Sequence, residues 1–179
     1  MLVAAAVACA AAATRVPARV LVTQDKALAE GFPGSTVERR SAFLTDAQVK
    51  KVEELAGSPL ATPVIAYYVA TRDGKATGAA FFDTHLVRTL PETLMIVVDP
   101  GGSVVKVEVL SFDEPPEYLP KPRWFELFRS RKLDRELSPG RGLPVVTGAT
   151  LTSRAVAAAV RRALALHAVL LAPDVGAAR

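Results

Sequence analysis

Residues 63–83 read PVIAYYVATRDGKATGAAFFD, two apolar runs that are separated by a short polar turn. The runs at 63–71 and 76–83 are rich in the small, β-branched and aromatic residues that favour strands. The intervening Arg72-Asp73-Gly74-Lys75 contains the Asp-Gly pair that tight hairpin turns prefer. We therefore predict an antiparallel hairpin at this point of the chain.

A second pair of apolar runs follows the first. Residues 93–98 (TLMIVV) are almost entirely apolar, residues 99–102 (DPGG) form a turn, and residues 104–110 place valines at alternate positions. Four strands that are joined by tight turns are typical of an antiparallel meander with one face packed against helices. The predicted fold class is α+β, with about four antiparallel strands in a single domain.

The remaining segments read mainly as helices. Helices are predicted at 23–30, at 44–55 behind a capping box, at 123–128 and at 152–172, the last one apolar nearly all round. Residues 36–43 have strand-like character, and the prolines of residues 114–120 predict an extended segment. The domain boundaries that we expect are a leader at 1–20, a helical extension at 21–58 and the main domain at 59–173.

The amino-acid composition excludes some kinds of partner and cofactor. The chain has 179 residues, of which 50% are apolar and 22% charged, with a formal net charge of +4. Basic and acidic residues are interspersed along the chain, so we expect no nucleic-acid partner. With two histidines and one cysteine, neither a metal site nor a haem site is expected.

The first residues, MLVAAAVACAAAATRVPA, resemble a secretory signal. The apolar run at 2–13 is too short to span a bilayer, and its alanines offer several cleavage positions. We expect export, to the periplasm or the outer face of a membrane. The alternative is an alanine tail without a targeting role, because no basic residues precede the run. Cys9 is a poor match to a lipid-attachment motif.

Residues 147–153 (TGATLTS) place several small hydroxyl residues immediately before the last predicted helix. Helix capping accounts for one or two of these hydroxyls, and Gly148 permits the turn into the helix. A helix N-terminus with a nearby glycine is also a favourable position for a phosphate. The pattern therefore indicates an anionic ligand, with capping as the simpler alternative.

This motif closely resembles the (S/T)-G-A-T-x-(S/T) signature of FMN-binding domains in the covalent-flavin subunits of Na⁺-translocating NADH:quinone reductase and the Rnf complex. The resemblance implies that Thr150 is joined to the FMN phosphate by a phosphoester bond. It also implies a flavin transferase that uses FAD and Mg²⁺ outside the cytoplasm. Residues 114–119 (EPPEYL) and Trp124 look like a variant of the E-T-P-G-L-G loop and tryptophan that border the flavin in this family.

The resemblance implies a set of cofactor-binding residues around the acceptor and no catalytic residue. Besides Thr150, the set comprises Thr147, Gly148, Ala149, Leu151, Thr152, Ser153, Glu114 and Tyr118. His85 and Thr89, together with Arg88, are further candidate donors to the flavin carbonyls or phosphate. For His85 the alternative is an edge residue that is bonded to the backbone.

The chain departs from the family pattern at two places. Pro144 stands where the family has an aspartate, and residues 116–118 replace the glycines of the flavin loop. The leading hypothesis is an exported FMN-containing electron carrier, which works with separate membrane or periplasmic redox proteins and is not an autonomous enzyme. The alternatives are a flavin-free interaction domain of the same fold, and a flavin reductase with dissociable FMN. The reductase lacks support, since no G-x-G-x-x-G loop is present.

Overall fold

A computed structural model describes residues 19–171 of the chain. The predicted leader lies outside these residues except for its last two positions, and Cys9 lies outside them as well. The strands are β1 (Thr36–Phe43), β2 (Val64–Arg72), β3 (Lys75–Leu86), β4 (Pro91–Val98) and β5 (Val104–Phe112). The α-helices are α1 (Gln24–Gly31), α2 (Asp46–Ala56), α3 (Pro122–Phe125) and α4 (Thr150–Leu170), with 3₁₀ turns at Pro116–Tyr118 and Glu126–Phe128.

The five strands form one antiparallel sheet in sequential order, β1-β2-β3-β4-β5. This arrangement confirms the predicted α+β meander and adds one strand to it. The added strand is β1, which pairs with β2 from Thr36↔Thr71 to Phe43↔Val64. Most residues of β1 are exposed on both faces, so its sequence lacks the alternation that marks a half-buried strand. The segment 21–58 thus contributes a strand as well as two helices.

The turn between β2 and β3 has the predicted hairpin geometry. Asp73 and Gly74 have φ values of 51° and 74°, so both central residues are left-handed. Two left-handed residues define the type I′ turn, whose twist matches that of the flanking strands. The Asp-Gly signal in the sequence was therefore interpreted correctly.

Helices cover both faces of the sheet. On one face α4 packs against β3 and β4 and α2 packs against α4, and Val156 and Val160 of α4 are completely buried there. On the other face α1 supplies Ala27 and Leu28 to a smaller cluster that includes Met95 of β4. Residues of β4 therefore enter both cores, which explains why the segment 93–98 is apolar at nearly every position.

The segment between β5 and α3 differs from the prediction. It contains a 3₁₀ turn at Pro116–Tyr118, whereas the prolines predicted an extended chain. Proline is well accommodated at the first position of a helical turn, because its fixed φ suits the turn and it needs no N–H there. Within residues 19–171, none of the helices combines the length and apolar character that crossing a bilayer requires.

Candidate functional site

The motif at residues 147–153 forms a loop that leads directly into α4. The helix begins at Thr150, two residues before the predicted start, and its N-cap residue is Ala149. Among residues 19–171, no side chain accepts a hydrogen bond from the backbone at this end of the helix. The capping role that was considered for the hydroxyl residues is therefore not observed, and the described part of the chain gives the first N–H groups of α4 no side-chain acceptor.

The hydroxyls of α4 instead donate to carbonyl groups. Thr152 Oγ1 lies 2.6 Å from the carbonyl oxygen of Tyr118, and Ser153 Oγ lies 3.0 Å from that of Thr150. Thr152 and Ser153 are 1% and 0% exposed, so both are parts of the packing. Thr150 is half-buried and donates to the carbonyl oxygen of Val146 at 3.2 Å. Of these three hydroxyls, only that of Thr150 belongs to a residue that is partly open to solvent.

A cleft of about 160 Å³ lies beside Thr150 and is called the Thr150 cleft below. Its walls are Arg88, Tyr118 and residues 148–152. The guanidinium carbon of Arg88 lies 4.3 Å from the centre of the Tyr118 ring, a cation–π contact that occupies one ring face. The arginine charge and the N-terminus of α4 make this cleft electropositive.

Gly148 widens the approach to this cleft. Its φ of +84° lies in the left-handed region, and a Cβ at this position would meet no atom within 4 Å. The glycine is therefore required by the backbone conformation and not by crowding. A ligand is able to approach the backbone at this point without meeting a side chain.

Glu114 affects the Thr150 cleft indirectly, through the backbone segment that it holds in place. Its Oε1 accepts hydrogen bonds from the backbone N–H groups of Thr89 (2.8 Å), Leu90 (3.0 Å) and Arg88 (3.1 Å). These bonds, with that of Thr89 contributing most, hold the pKa of Glu114 below its usual range. Glu114 is buried and does not line the cleft, so its role in this structure is to position the hairpin that carries Arg88. Thr89 contributes its backbone N–H to this arrangement.

His85 lies in a separate network of charged side chains. Its Nδ1 is 2.9 Å from Asp83 Oδ1 and its Nε2 is 3.0 Å from Glu92 Oε2. Asp83 also accepts two hydrogen bonds from Arg162 of α4, at 2.7 and 2.8 Å. The partners of the His85 ring are therefore carboxylates, whereas the sequence interpretation considered flavin or backbone groups.

The network shifts the pKa values of its members. Burial alone would lower the pKa of His85, but hydrogen bonds to Asp83 and Glu92 raise it from 6.5 to about 9. Burial alone would raise the pKa of Asp83, but the bonds from His85 and Arg162 lower it from 3.8 to about 2. Glu92 is fully buried, which raises its pKa, and its Oε1 has no hydrogen-bond partner within the described residues.

Sequence reasoning missed Glu92, Asp83 and Arg162 as members of one cluster. The signal was present in the hairpin between β3 and β4, where His85 lies directly opposite Glu92. Asp83 and His85 are two residues apart on one strand and so share a face. Correct register assignment would have brought the three β-strand residues together, but not Arg162, which comes from a distant helix.

An apolar groove of about 440 Å³ lies beside residues 144–147, which lead into the motif. It is lined by Trp124, Leu127 and residues 144–147, with Lys121 and Arg123 beside them. The indole Nε1 of Trp124 donates to the carbonyl oxygen of Pro144 at 3.1 Å. Because this contact uses a backbone carbonyl, proline at position 144 supplies it without an N–H group or an acid.

Adjacent residues of the loop thus face two different depressions. Thr147 lines the apolar groove, whereas Gly148, Thr150 and Leu151 line the electropositive Thr150 cleft. Leu151 and Val145 are large apolar residues that remain substantially exposed here. A ligand with an anionic end and an apolar ring system suits this pair of surfaces.

Comparison with known protein families agrees with this chemistry. Residues 90–165, from the start of β4 into α4, match the family model of the FMN-binding domain. No curated protein and no solved structure matches the chain. The matched segment includes Glu114, Tyr118 and the complete motif at 147–153, so it contains most of the Thr150 cleft. Residues 90–165 therefore resemble the FMN-binding domain, the family that the motif predicted.

Proposed function

We propose that this protein is an exported electron carrier in which FMN is attached through its phosphate to Thr150 Oγ1. The observation that carries the proposal is the placement of Thr150. Its half-buried hydroxyl lies at the start of α4, in the cleft that Arg88 makes electropositive. The neighbouring hydroxyls of Thr152 and Ser153 are buried and bonded to carbonyl groups.

The residues around Thr150 fit the phosphate end of FMN. No side chain in the described part of the chain caps the N-terminus of α4, and Arg88 supplies a positive charge. The cleft of about 160 Å³ accommodates a phosphate group but not a complete flavin. The apolar groove with Trp124 and Leu127 offers the neighbouring surface for the ring system. Tyr118 has one face covered by Arg88, which leaves its other face for a ligand.

The attachment step balances without an external oxidant or reductant. Thr150 Oγ1 forms a bond to the phosphorus of the FMN half of FAD, the bond between the two FAD phosphates breaks, and AMP leaves. The hydroxyl proton is released to solvent or to a base of a flavin transferase. Arg88 and the helix N-terminus stabilise the negative charge that the phosphate keeps after the transfer.

Once bound, FMN supplies one- and two-electron redox chemistry, and the chain's residues place it and limit its contact with water. The proposed partners are membrane or periplasmic redox proteins that donate and accept the electrons. Export is proposed from the signal-like composition of the first residues. Attachment by a flavin transferase outside the cytoplasm is consistent with such a location.

The deciding experiment is the intact mass of the protein after co-production with a flavin transferase in an exporting host. The full chain is compared with two variants, Thr150→Ala and Thr36→Ala. We expect the wild type and Thr36→Ala to gain the mass of one FMN less one water, and Thr150→Ala to gain nothing. Thr36→Ala is the matched control, because Thr36 is an exposed threonine of β1 that lines neither the Thr150 cleft nor the apolar groove.

Two results would contradict the proposal. A flavin that is removed by denaturation from all three proteins would indicate dissociable FMN. A colourless wild-type protein without added mass would indicate that Pro144 has disabled the motif and that the domain serves interaction without flavin.

A further inference from the structure

A third depression, of about 530 Å³, lies between the end of α2, residues 135–141 and the middle of α4. Four arginines line it, namely Arg135, Arg141, Arg154 and Arg161, and no aspartate or glutamate of residues 19–171 does. It is called the arginine surface below. The lining residues therefore concentrate positive charge in one place of a chain whose basic and acidic residues are otherwise interspersed.

Arg161 has a structural role within the arginine surface. Its guanidinium donates to the carbonyl oxygens of Asp134 (2.6 Å), Ala56 (2.7 Å) and Leu55 (3.2 Å). Two of these carbonyls end α2, where backbone oxygens lack partners within the helix. Arg161 therefore fixes α2 and the loop after Leu133 against α4 and makes the base of the surface rigid.

The other three arginines of the arginine surface do not hold neighbouring segments together as Arg161 does. Arg135, Arg141 and Arg154 are exposed, and within residues 19–171 their side chains form neither an ion pair nor a hydrogen bond. The positive charges of these guanidinium groups repel one another, and bound carboxylates would offset this repulsion. Planar guanidinium groups pair with carboxylates through two parallel hydrogen bonds, which gives such contacts direction as well as strength.

The spacing of the arginines along α4 favours an extended anionic ligand. Arg154 and Arg161 are seven residues apart on α4, a rise of about 10 Å, which is wider than a single phosphate. The base between them consists of Ala157 and Ala158, small residues that allow a chain to lie close to the helix. An acidic polypeptide segment satisfies both the spacing and the charge.

We infer that the arginine surface docks an acidic segment of a partner protein. The surface begins one helical turn after Thr150, since Arg154 follows Thr150 by four residues, about 6 Å along α4. A partner that is seated there lies next to the proposed flavin site. The inference does not depend on flavin attachment, because the arginines are present in the unmodified chain.

The test measures binding of a fluorescein-labelled, glutamate-rich peptide to the full chain without flavin, by fluorescence anisotropy at low salt. The variant Arg135→Glu/Arg141→Glu/Arg154→Glu is compared with Arg39→Glu/Lys51→Glu/Lys75→Glu. Both sets replace three exposed basic residues, so the change in net charge is the same. Thermal unfolding of each variant verifies that it is folded. An oligonucleotide and ATP serve as competing probes.

We expect the first variant to weaken peptide binding by about tenfold or more, and the control to weaken it by less than about twofold. Wild-type binding should also weaken steeply as salt is raised. Equal weakening by both variants would overturn the inference, because the effect would then follow net charge alone. Binding of the oligonucleotide or ATP in preference to the peptide would overturn it as well, in favour of a nucleic-acid or nucleotide site.

Discussion

Thr152 Oγ1 donates a hydrogen bond of 2.6 Å to the carbonyl oxygen of Tyr118, and both residues line the Thr150 cleft. This bond joins the first turn of α4 to the 3₁₀ turn at Pro116–Tyr118. The guanidinium of Arg88 in turn lies over the ring of Tyr118. The position of the positive charge beside Thr150 therefore depends on a threonine that is itself buried.

Replacing Thr152 with valine should destabilise the protein. Valine has nearly the same shape, but the Tyr118 carbonyl loses its hydroxyl donor in a buried position. The expected loss in the free energy of unfolding is about 1–3 kcal/mol. Urea denaturation measures it, and Thr152→Ser, which keeps the hydroxyl, should recover most of the loss. Equal stability of the valine variant and the wild type would show that water replaces the threonine.

Replacing Glu114 with glutamine should loosen the hairpin between β3 and β4. The neutral amide oxygen is a weaker acceptor for the three N–H groups that the carboxylate now holds. We expect the amide protons of Arg88, Thr89 and Leu90 to exchange with solvent about tenfold faster. Hydrogen exchange followed by NMR measures this change.

The matched control for Glu114 is Asp113→Asn. Asp113 precedes it in the chain and, within residues 19–171, accepts one backbone hydrogen bond, from Arg19 at 2.8 Å. Its replacement should leave exchange in the 88–90 segment unchanged. If Asp113→Asn and Glu114→Gln accelerate exchange there to the same extent, Glu114 has no special role in holding the hairpin.

Replacing Arg88 with methionine should weaken anion binding in the Thr150 cleft. Methionine keeps an apolar chain over Tyr118 but removes the charge. Inorganic phosphate, titrated against the unmodified protein, should shift the amide signals of Leu151 and Thr152 in the wild type. The variant should bind phosphate about fivefold or more weakly. Arg123→Met, in the apolar groove, is the control and should bind phosphate as the wild type does.

Stability should depend on the protonation of His85. Its pKa is raised to about 9 in the folded protein, compared with 6.5 in the unfolded chain. A raised pKa means that the folded state binds the proton more tightly, so this stabilisation is complete below pH 6.5 and is lost as the pH rises through about 9. The expected loss is on the order of 3 kcal/mol.

Urea denaturation at several pH values across this window measures the effect of His85. In His85→Gln the ring that titrates is absent, so the decline of stability over the same window should largely disappear. A decline of the same size in His85→Gln would assign it to other groups. The lowered pKa of Asp83, about 2, has the opposite pH dependence. Its contribution to the stability of the fold is present at neutral pH and is lost only in strong acid.

The sequence predicted most of the local structure of this protein. Hairpin turns and helix caps depend on a few neighbouring residues, so Asp73-Gly74 and the capping box of Thr45 and Gln48 were readable directly. The strand β1 was not assigned to the sheet, because its mostly exposed residues carry no apolar period. Its place is decided by backbone hydrogen bonds to β2, which any side chain permits.

The candidate site, like the fold, was only partly predictable from the sequence. The sequence by itself determined the motif at 147–153 and hence the resemblance to the FMN-binding family, because a ligand-binding loop is a contiguous string of small residues. Only the tertiary structure decided that Thr152 and Ser153 are buried, that Glu114 holds the Arg88 hairpin, and that Arg162 reaches the cluster of His85. The physical reason is that burial and charge pairing depend on which distant segments pack together, a relation that no short stretch of sequence contains.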